Sequence, residues 1–147
     1  MSAKLKNEYD KDFYAWTMHN AALIRQGKFS QVDVENVAEE IESMGRSDKR
    51  ELVSRLGVLI AHLLKWEFQP ERRGNSWKAT IKVQRLRVKR LLEESPSLKH
   101  ELESKLADAY KLAVLIAAEE TQFLETTFPK KCPYDFSQCM RENFFPH

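Results

Sequence analysis

The fold of this chain is decided by an apolar stretch near its middle, Leu52-Val53-Ser54-Arg55-Leu56-Gly57-Val58-Leu59-Ile60-Ala61-His62-Leu63-Leu64-Lys65-Trp66. Within it, one apolar stripe recurs at steps of four and three residues, formed by Leu52, Leu56, Leu59, Leu63 and Trp66. This spacing places the stripe on one face of an α-helix. Pro70 forbids the helix to continue, and Ser47 can cap its start. The sequence therefore predicts a long central helix between Ser47 and Pro70.

Helical periodicity also governs most of the remaining chain. The spacing predicts further helices from about Asp10 to Gln26, from Asp33 to Gly45, from Ser76 to about Glu94 and from Ser95 to about Thr121. Each predicted start carries a residue type that caps helices, and Gly27 and Gly45 are typical of helix ends. No segment alternates apolar and polar residues as a half-buried strand does. The sequence predicts an all-α, single-domain bundle of four to five main helices.

The last segment, 126–147, differs in composition from the predicted helices. It is rich in proline and aromatic residues, so we predict a mostly irregular tail that is clamped onto the bundle. Asp135, with Gln138 three residues later, matches a capping box and predicts a short helical turn within the tail. Residues 1–9 are predicted to be an N-terminal extension. Because no repeat or flexible linker divides the chain, the whole of 1–147 is predicted to be one helical domain.

Composition limits the classes of protein to which the chain can belong. Its 147 residues, 42% of them apolar, are enough to bury one core. The net charge is only +2, so the charge of the whole molecule gives no preference for nucleic acid. No stretch approaches the roughly 20 apolar residues of a membrane span, and no apolar run follows the N-terminal lysines as in a signal peptide. We predict a cytoplasmic protein that does not contact a membrane, in an oligomeric state that the sequence leaves open.

Cys132 and Cys139 are the two cysteines of the chain. Two cysteines are too few for a disulfide scaffold, although a single bridge is compatible with the sequence. A four-ligand zinc site would need two further ligands from elsewhere in the chain. The sequence predicts reduced thiols, no metal and no cofactor.

Several separate motifs, taken in order, resemble those of a known family. They are Asp12-Phe13-Tyr14-Ala15-Trp16, Ala38-Glu39-Glu40-Ile41-Glu42-Ser43-Met44-Gly45-Arg46-Ser47, His62-Leu63-Leu64-Lys65-Trp66, Gln69-Pro70-Glu71-Arg72-Arg73, Ser76-Trp77, Ser95-Pro96-Ser97-Leu98, and Phe128-Pro129 through Cys132-Pro133-Tyr134. Across nearly the whole chain, they resemble the bacterial family catalogued as domain of unknown function twenty-nine. The resemblance implies a compact all-α bacterial protein, and it supplies no established activity, cofactor or catalytic residue.

The charges are segregated along the sequence. From Arg72 to Arg90 there are bases and no acids, whereas Asp33 to Glu42 holds acids and no bases. A solvated helix face explains such a run in most proteins, and the alternative is a binding surface. We predict a non-enzymatic interaction module whose partner is an acidic protein surface or a nucleic acid. Its candidate binding residues are Lys65, Arg72, Arg73, Lys78, Lys82 and Arg85. Trp77 shares a line with apolar residues, which favours the core over base stacking.

An enzyme is the alternative interpretation. His62 lies beside the leucine stripe, and Glu39 or Glu40 on a neighbouring predicted helix could face it, as in metal-assisted or general acid/base catalysis. The repeated histidines and Glu-x-x-His spacing of helical metal sites are missing. The chain also lacks a Gly-rich phosphate loop and a Gly-x-Ser-x-Gly motif. These absences favour a structural His62, bonded to a carboxylate or to the backbone.

Three polar residues interrupt or flank the apolar stripes of different predicted helices. They are Asn20, His62 and Gln84. Each would be costly to bury without a hydrogen-bond partner. We predict that they form one shared polar network between the helices.

Overall fold

The computed structural model of the chain describes residues 8–147. Contacts within the chain divide it into two compact units, Met1–Ser47 and Asp48–His147. Residues 8–147 contain helices and turns and no strand, which confirms the all-α prediction. The predicted N-terminal extension falls largely outside the described residues. Of its residues, only Glu8 and Tyr9 are described, and they belong to a helical turn over 8–11.

Five helices follow that turn. They are α1 (Phe13–Arg25), α2 (Val34–Phe68), α3 (Asn75–Glu94), α4 (Leu102–Thr121) and α5 (Phe136–Met140). Short 3₁₀ turns lie between them, at Phe29–Gln31, Pro70–Arg72, Pro96–Glu101 and Glu125–Thr127. The helix α5 begins with the predicted capping box: the Asp135 side chain accepts from the Gln138 N–H, and the Gln138 side chain accepts from the Asp135 N–H.

The break that we predicted between Gly45 and Ser47 is wrong, because α2 is continuous through both residues. A helical glycine costs only about 1 kcal/mol relative to alanine, and its N–H still supports the helix. Gly27 differs, since it adopts φ +72 just after the end of α1. Three predicted starts also shift, the first because Asp12 rather than Asp10 precedes α1. Gly74 rather than Ser76 precedes α3, and a 3₁₀ turn separates Ser95 from α4.

A buried polar cluster organises the first unit. The Trp16 indole N–H donates to the Asp33 carboxylate at 2.9 Å. The Asn20 amide donates to the Trp16 carbonyl and accepts from the Asp33 backbone N–H, both at 2.9 Å. All three residues are buried. Because buried polar groups need partners, this cluster fixes the end of the α1–α2 connection against α1.

The leucine stripe forms the core of the second unit, as its spacing predicts. Leu52, Leu56, Leu59 and Leu63 have no exposed surface, and Trp66 is buried as well. Alanines on α4 and the apolar face of α3 complete this core, which also includes Phe128, Tyr134 and Cys139 of the tail. The Tyr134 hydroxyl donates to the Glu67 carboxylate at 2.8 Å, and the Tyr110 hydroxyl donates to the Pro129 carbonyl. Burial and hydrogen bonding thus hold the tail within this unit.

Gly57 allows α2 and α4 to approach each other closely. A Cβ atom at Gly57 would lie 2.7 Å from Leu112 Cδ2 and 3.1 Å from its Cγ, well inside van der Waals contact. A Cβ atom at Gly45, in the same helix, would meet no described atom within 4 Å. The two glycines therefore differ in the space around them and not in their secondary structure.

We expect Gly57→Leu to lower the free energy of unfolding by about 2 kcal/mol or more, since overpacking a core costs about 1–3 kcal/mol. The matched variant Gly45→Leu introduces the same side chain at an exposed position of the same helix. It should be neutral or stabilising by up to about 1 kcal/mol, because leucine favours helix over glycine. Urea denaturation of both variants measures the difference. Equal stabilities would contradict the close packing at Gly57.

Candidate binding site

A groove lies between α3 and the tail. Its volume is about 420 Å³. We call it the basic groove, and its lining residues are Lys78, Ile81, Lys82, Arg85, Leu86, Lys89, Met140, Glu142 and Phe145. The α3 residues recur at steps of three and four, which places them on one face of the helix. The groove therefore combines several cations with an apolar surface.

Arg85 is buried and holds the tail in place. Its Nε donates to the Cys139 carbonyl at 2.7 Å, Nη1 to the Glu142 carbonyl at 3.1 Å and Nη2 to the Phe144 carbonyl at 2.8 Å. Burial lowers the pKa of its guanidinium. We predicted Arg85 to belong to an exposed binding surface, but only 6% of it is exposed. Three of its five N–H donors are engaged by backbone carbonyls, and the side chain is too buried to form part of an exposed binding surface.

Arg73 also binds the chain itself. Its Nε donates to the Trp66 carbonyl at 2.6 Å, and Nη2 donates to the His147 carbonyl at 3.0 Å. The Arg73 guanidinium lies 5.3 Å from the centre of the Trp66 ring, and Phe145 packs against that ring at 4.9 Å. Arg73 thus connects the turn before α3 to the last residue of the tail.

Lys65 is buried, contrary to its predicted place on the basic surface. Its Nζ lies 2.6 Å from the Glu120 carboxylate, and 4.7 Å from the centre of the Trp77 ring. Only 8% of the Lys65 side chain is exposed, compared with 45% of that of Glu120. An ammonium group paired and covered in this way cannot reach a partner.

The remaining predicted binding residues are exposed. They are Arg72, Lys78 and Lys82. Lys78 and Lys82 line the basic groove. Lys89 lines it as well, and our choice of residues missed it although it lies seven positions after Lys82 on the same helical face. Leu86 could also have been found from this spacing, whereas the tail residues of the groove have no local signal in the sequence.

The enzyme interpretation requires His62 to face Glu39 or Glu40. These glutamates lie in the other half of the same helix, α2, and not on a separate helix that could pack against His62. Glu39 accepts from Arg46 at 2.7 Å, and Glu40 accepts from the Tyr9 hydroxyl. No group of three or more His, Cys, Asp or Glu side chains in residues 8–147 is arranged to hold a metal ion.

His62 is bonded to the backbone of its own helix. Its Nδ1 lies 2.9 Å from the Val58 carbonyl, which can only accept, so Nδ1 carries the proton. Burial lowers the pKa of His62, and the neighbouring Lys65 charge lowers it further. Of the two partners that the sequence allowed, a carboxylate or the backbone, the structure gives His62 the backbone carbonyl of Val58.

The shared network of Asn20, His62 and Gln84 is wrong. Asn20 uses its amide within the first unit, and His62 bonds to Val58. Gln84 is buried, and its carbonyl oxygen has no hydrogen-bond partner among the described atoms. Asn20 and His62 are therefore compensated by separate partners, whereas the Gln84 carbonyl oxygen is buried without one.

In the part of the chain that is described, no helix is long and apolar enough to cross a membrane.

Comparison with known proteins identifies one relationship. Neither the curated proteins nor the solved structures include a significant match to this sequence. The family model for a domain of unknown function, DUF29, matches residues 8–145. Since that match covers nearly the whole chain, this protein belongs to the DUF29 family.

Proposed function

We propose that the chain is a non-enzymatic binding module whose basic groove takes an acidic, amphipathic helix of a partner protein. One observation carries this proposal, namely that exposed lysines border an apolar surface in a single groove. Lysines attract carboxylates and set the orientation of the partner. The apolar side chains of the groove bury the other face of the same helix.

The charges of the groove are largely available to a partner. Lys82 forms no ion pair with any acid in residues 8–147, and Lys78 makes a contact of 5.7 Å with the face of the Trp66 ring. Lys89 lies 4.0 Å from Glu93, and both side chains are exposed, so that pair contributes little. Glu142 is the acid among the lining residues. The lysines outnumber it, and the groove favours an anionic partner.

The apolar surface favours a protein over a nucleic acid. Leu86 is 55% exposed within the groove, beside the half-buried Met140 and Phe145. Single-stranded nucleic acid would need exposed aromatic faces on which its bases stack. Trp66 is buried and Trp77 is covered on one face by Lys65. The apolar surface of the groove suits leucine or isoleucine side chains better than bases.

A defined probe tests this proposal. Fluorescence anisotropy would measure the binding of a labelled synthetic helix that carries glutamates on one face and leucines on the other. A single-stranded oligonucleotide of equal net charge serves as the competing ligand. We expect the peptide to bind more tightly than the oligonucleotide. Lys82→Glu should raise the Kd for the peptide about tenfold or more, as expected when a rim charge is reversed.

The chain offers a matched control in Arg87, which lies on α3, is exposed and does not line the groove. Arg87→Glu makes the same change in net charge and should alter the Kd by less than about twofold. Leu86→Ser should weaken the binding of the peptide and leave the binding of the oligonucleotide unchanged. Equal changes in the Kd for the peptide in Lys82→Glu and Arg87→Glu would contradict binding in the basic groove. Tighter binding of the oligonucleotide, insensitive to Leu86→Ser, would identify a nucleic-acid site instead.

A further inference from the structure

An exposed apolar stripe runs along the start of α2, in the first unit. Val34 and Ile41 are 58% and 59% exposed, and Ala38 between them is exposed as well. Their spacing of four and three residues places them on one face of the helix. Glu40, which accepts from the Tyr9 hydroxyl, lies on a different face. The stripe is therefore turned away from this contact within the first unit.

Carboxylates border the stripe along one edge. Glu35 and Glu42 are exposed and lie seven residues apart, so they share a side of the helix. Glu42 lies 3.7 Å from Arg46, which also pairs with Glu39 at 2.7 Å. All three of these side chains are at least half exposed, so both pairs are weak and can be exchanged for other partners. We call this surface the acidic stripe, and its residues are Val34, Glu35, Ala38, Ile41 and Glu42.

The acidic stripe has the chemistry that the basic groove requires of a partner, since it is a helix surface with carboxylates beside apolar side chains. We propose that the acidic stripe of one molecule docks into the basic groove of a second copy of the chain. The contact is head-to-tail, because one molecule contributes the stripe and the other the groove. This inference rests on the proposed function, and it names the partner.

The two surfaces agree in charge. Lys78, Lys82 and Lys89 line the groove, whereas Glu35 and Glu42 border the stripe. Opposite charges on facing surfaces raise the rate of association and disfavour other orientations. The second copy therefore carries the charge that the groove attracts.

The two surfaces also agree in length. From Val34 to Glu42 the stripe extends about 12 Å along α2, and from Lys78 to Lys89 the groove extends about 16 Å along α3. Leu86, which is 55% exposed, offers apolar contact to Ile41 of the other copy. Because the stripe is already helical within α2, docking orders little additional chain. A contact of this small size is expected to be weak.

Sedimentation velocity of the full chain tests the proposal. We expect the wild-type protein to increase in mass from one chain towards two or more between about 1 μM and about 500 μM, the range in which small interfaces associate. The synthetic helix with glutamates and leucines, used above as the probe of the groove, should return the protein to single chains. Probe and stripe compete for the same groove, so this measurement needs no variant.

Ile41→Ser should weaken self-association at least about tenfold, because it removes an apolar contact of the stripe. It should leave the binding of the probe helix unchanged, because the groove is intact. Leu115→Ser is the matched control, since Leu115 is 53% exposed on α4 and belongs to neither surface. It should change the association by less than about twofold. Circular dichroism checks that both variants are folded.

A mixture of two variants distinguishes head-to-tail docking from the pairing of two stripes. Ile41→Ser keeps the groove intact, and Lys82→Glu keeps the stripe intact. Each alone should remain largely single. Their equimolar mixture should form pairs and no larger species, because each pair contains one intact groove and one intact stripe.

Three results would overturn the proposal. A wild-type protein that stays single over the whole range while it binds the probe helix would leave the proposed function standing and remove self-docking. A mixture no heavier than its two components would show that the stripe does not enter the groove. Equal losses of association in Ile41→Ser and Leu115→Ser would show that the stripe is not a specific contact. If the probe helix does not bind either, the proposed function fails and this inference fails with it.

Discussion

Replacing Arg85 by methionine is expected to lower the free energy of unfolding by about 4 kcal/mol. Methionine fills much of the same volume but donates no hydrogen bond, so the carbonyls of Cys139, Glu142 and Phe144 lose their Arg85 donors. Leaving a buried carbonyl unsatisfied costs about 1–3 kcal/mol, and the carbonyls nearer to solvent recover part of this from water. Urea denaturation followed by circular dichroism measures the loss.

The same change should release the tail before the rest of the second unit unfolds. Trp66 packs against Phe145 of the tail, so its fluorescence reports this local release. Arg87→Met is the matched control, since Arg87 is exposed on the same helix, and its effect should stay within about 0.5 kcal/mol. A loss below about 1 kcal/mol for Arg85→Met would mean that the tail does not depend on this side chain.

The parts of the fold that depend on local sequence could be predicted. The leucine stripe specifies a buried helix face through its spacing, and Pro70 ends the helix because its ring cannot be accommodated in the interior. The capping box at Asp135 is local as well. The break that we wrongly predicted at Gly45 came from a local signal that does not determine the structure. Glycine permits a helix end without requiring one, and the residues around it continue the helix.

The candidate site was predictable only as a region. The run of bases predicted a binding surface on α3, but it did not distinguish Lys82, which is exposed, from Arg85, which is buried. That distinction depends on tail carbonyls more than 50 residues later in the chain. Lys65 became buried for a similar reason, because its partner Glu120 comes from α4. Pairings at such distances leave no periodicity in the sequence.

The ion pair between Lys65 and Glu120 should be strongly asymmetric when its two members are removed separately. We expect Glu120→Ala to lower the free energy of unfolding by about 3 kcal/mol, because it leaves a buried ammonium without a counter-charge. This value lies at the lower end of the range for breaking a buried ion pair. Nearly half of the Glu120 side chain is exposed, so water can partly replace the lost carboxylate.

Lys65→Met should cost only about 1 kcal/mol, because methionine fills the apolar space over Trp77 and the exposed Glu120 stays hydrated. The double variant tests the explanation. Once Lys65 is methionine, the further change Glu120→Ala should cost almost nothing, so that the double variant is more stable than Glu120→Ala alone. Urea denaturation of the four proteins completes this cycle. A double variant that is less stable than either single variant would show that the two side chains act through separate contacts and not through their pairing.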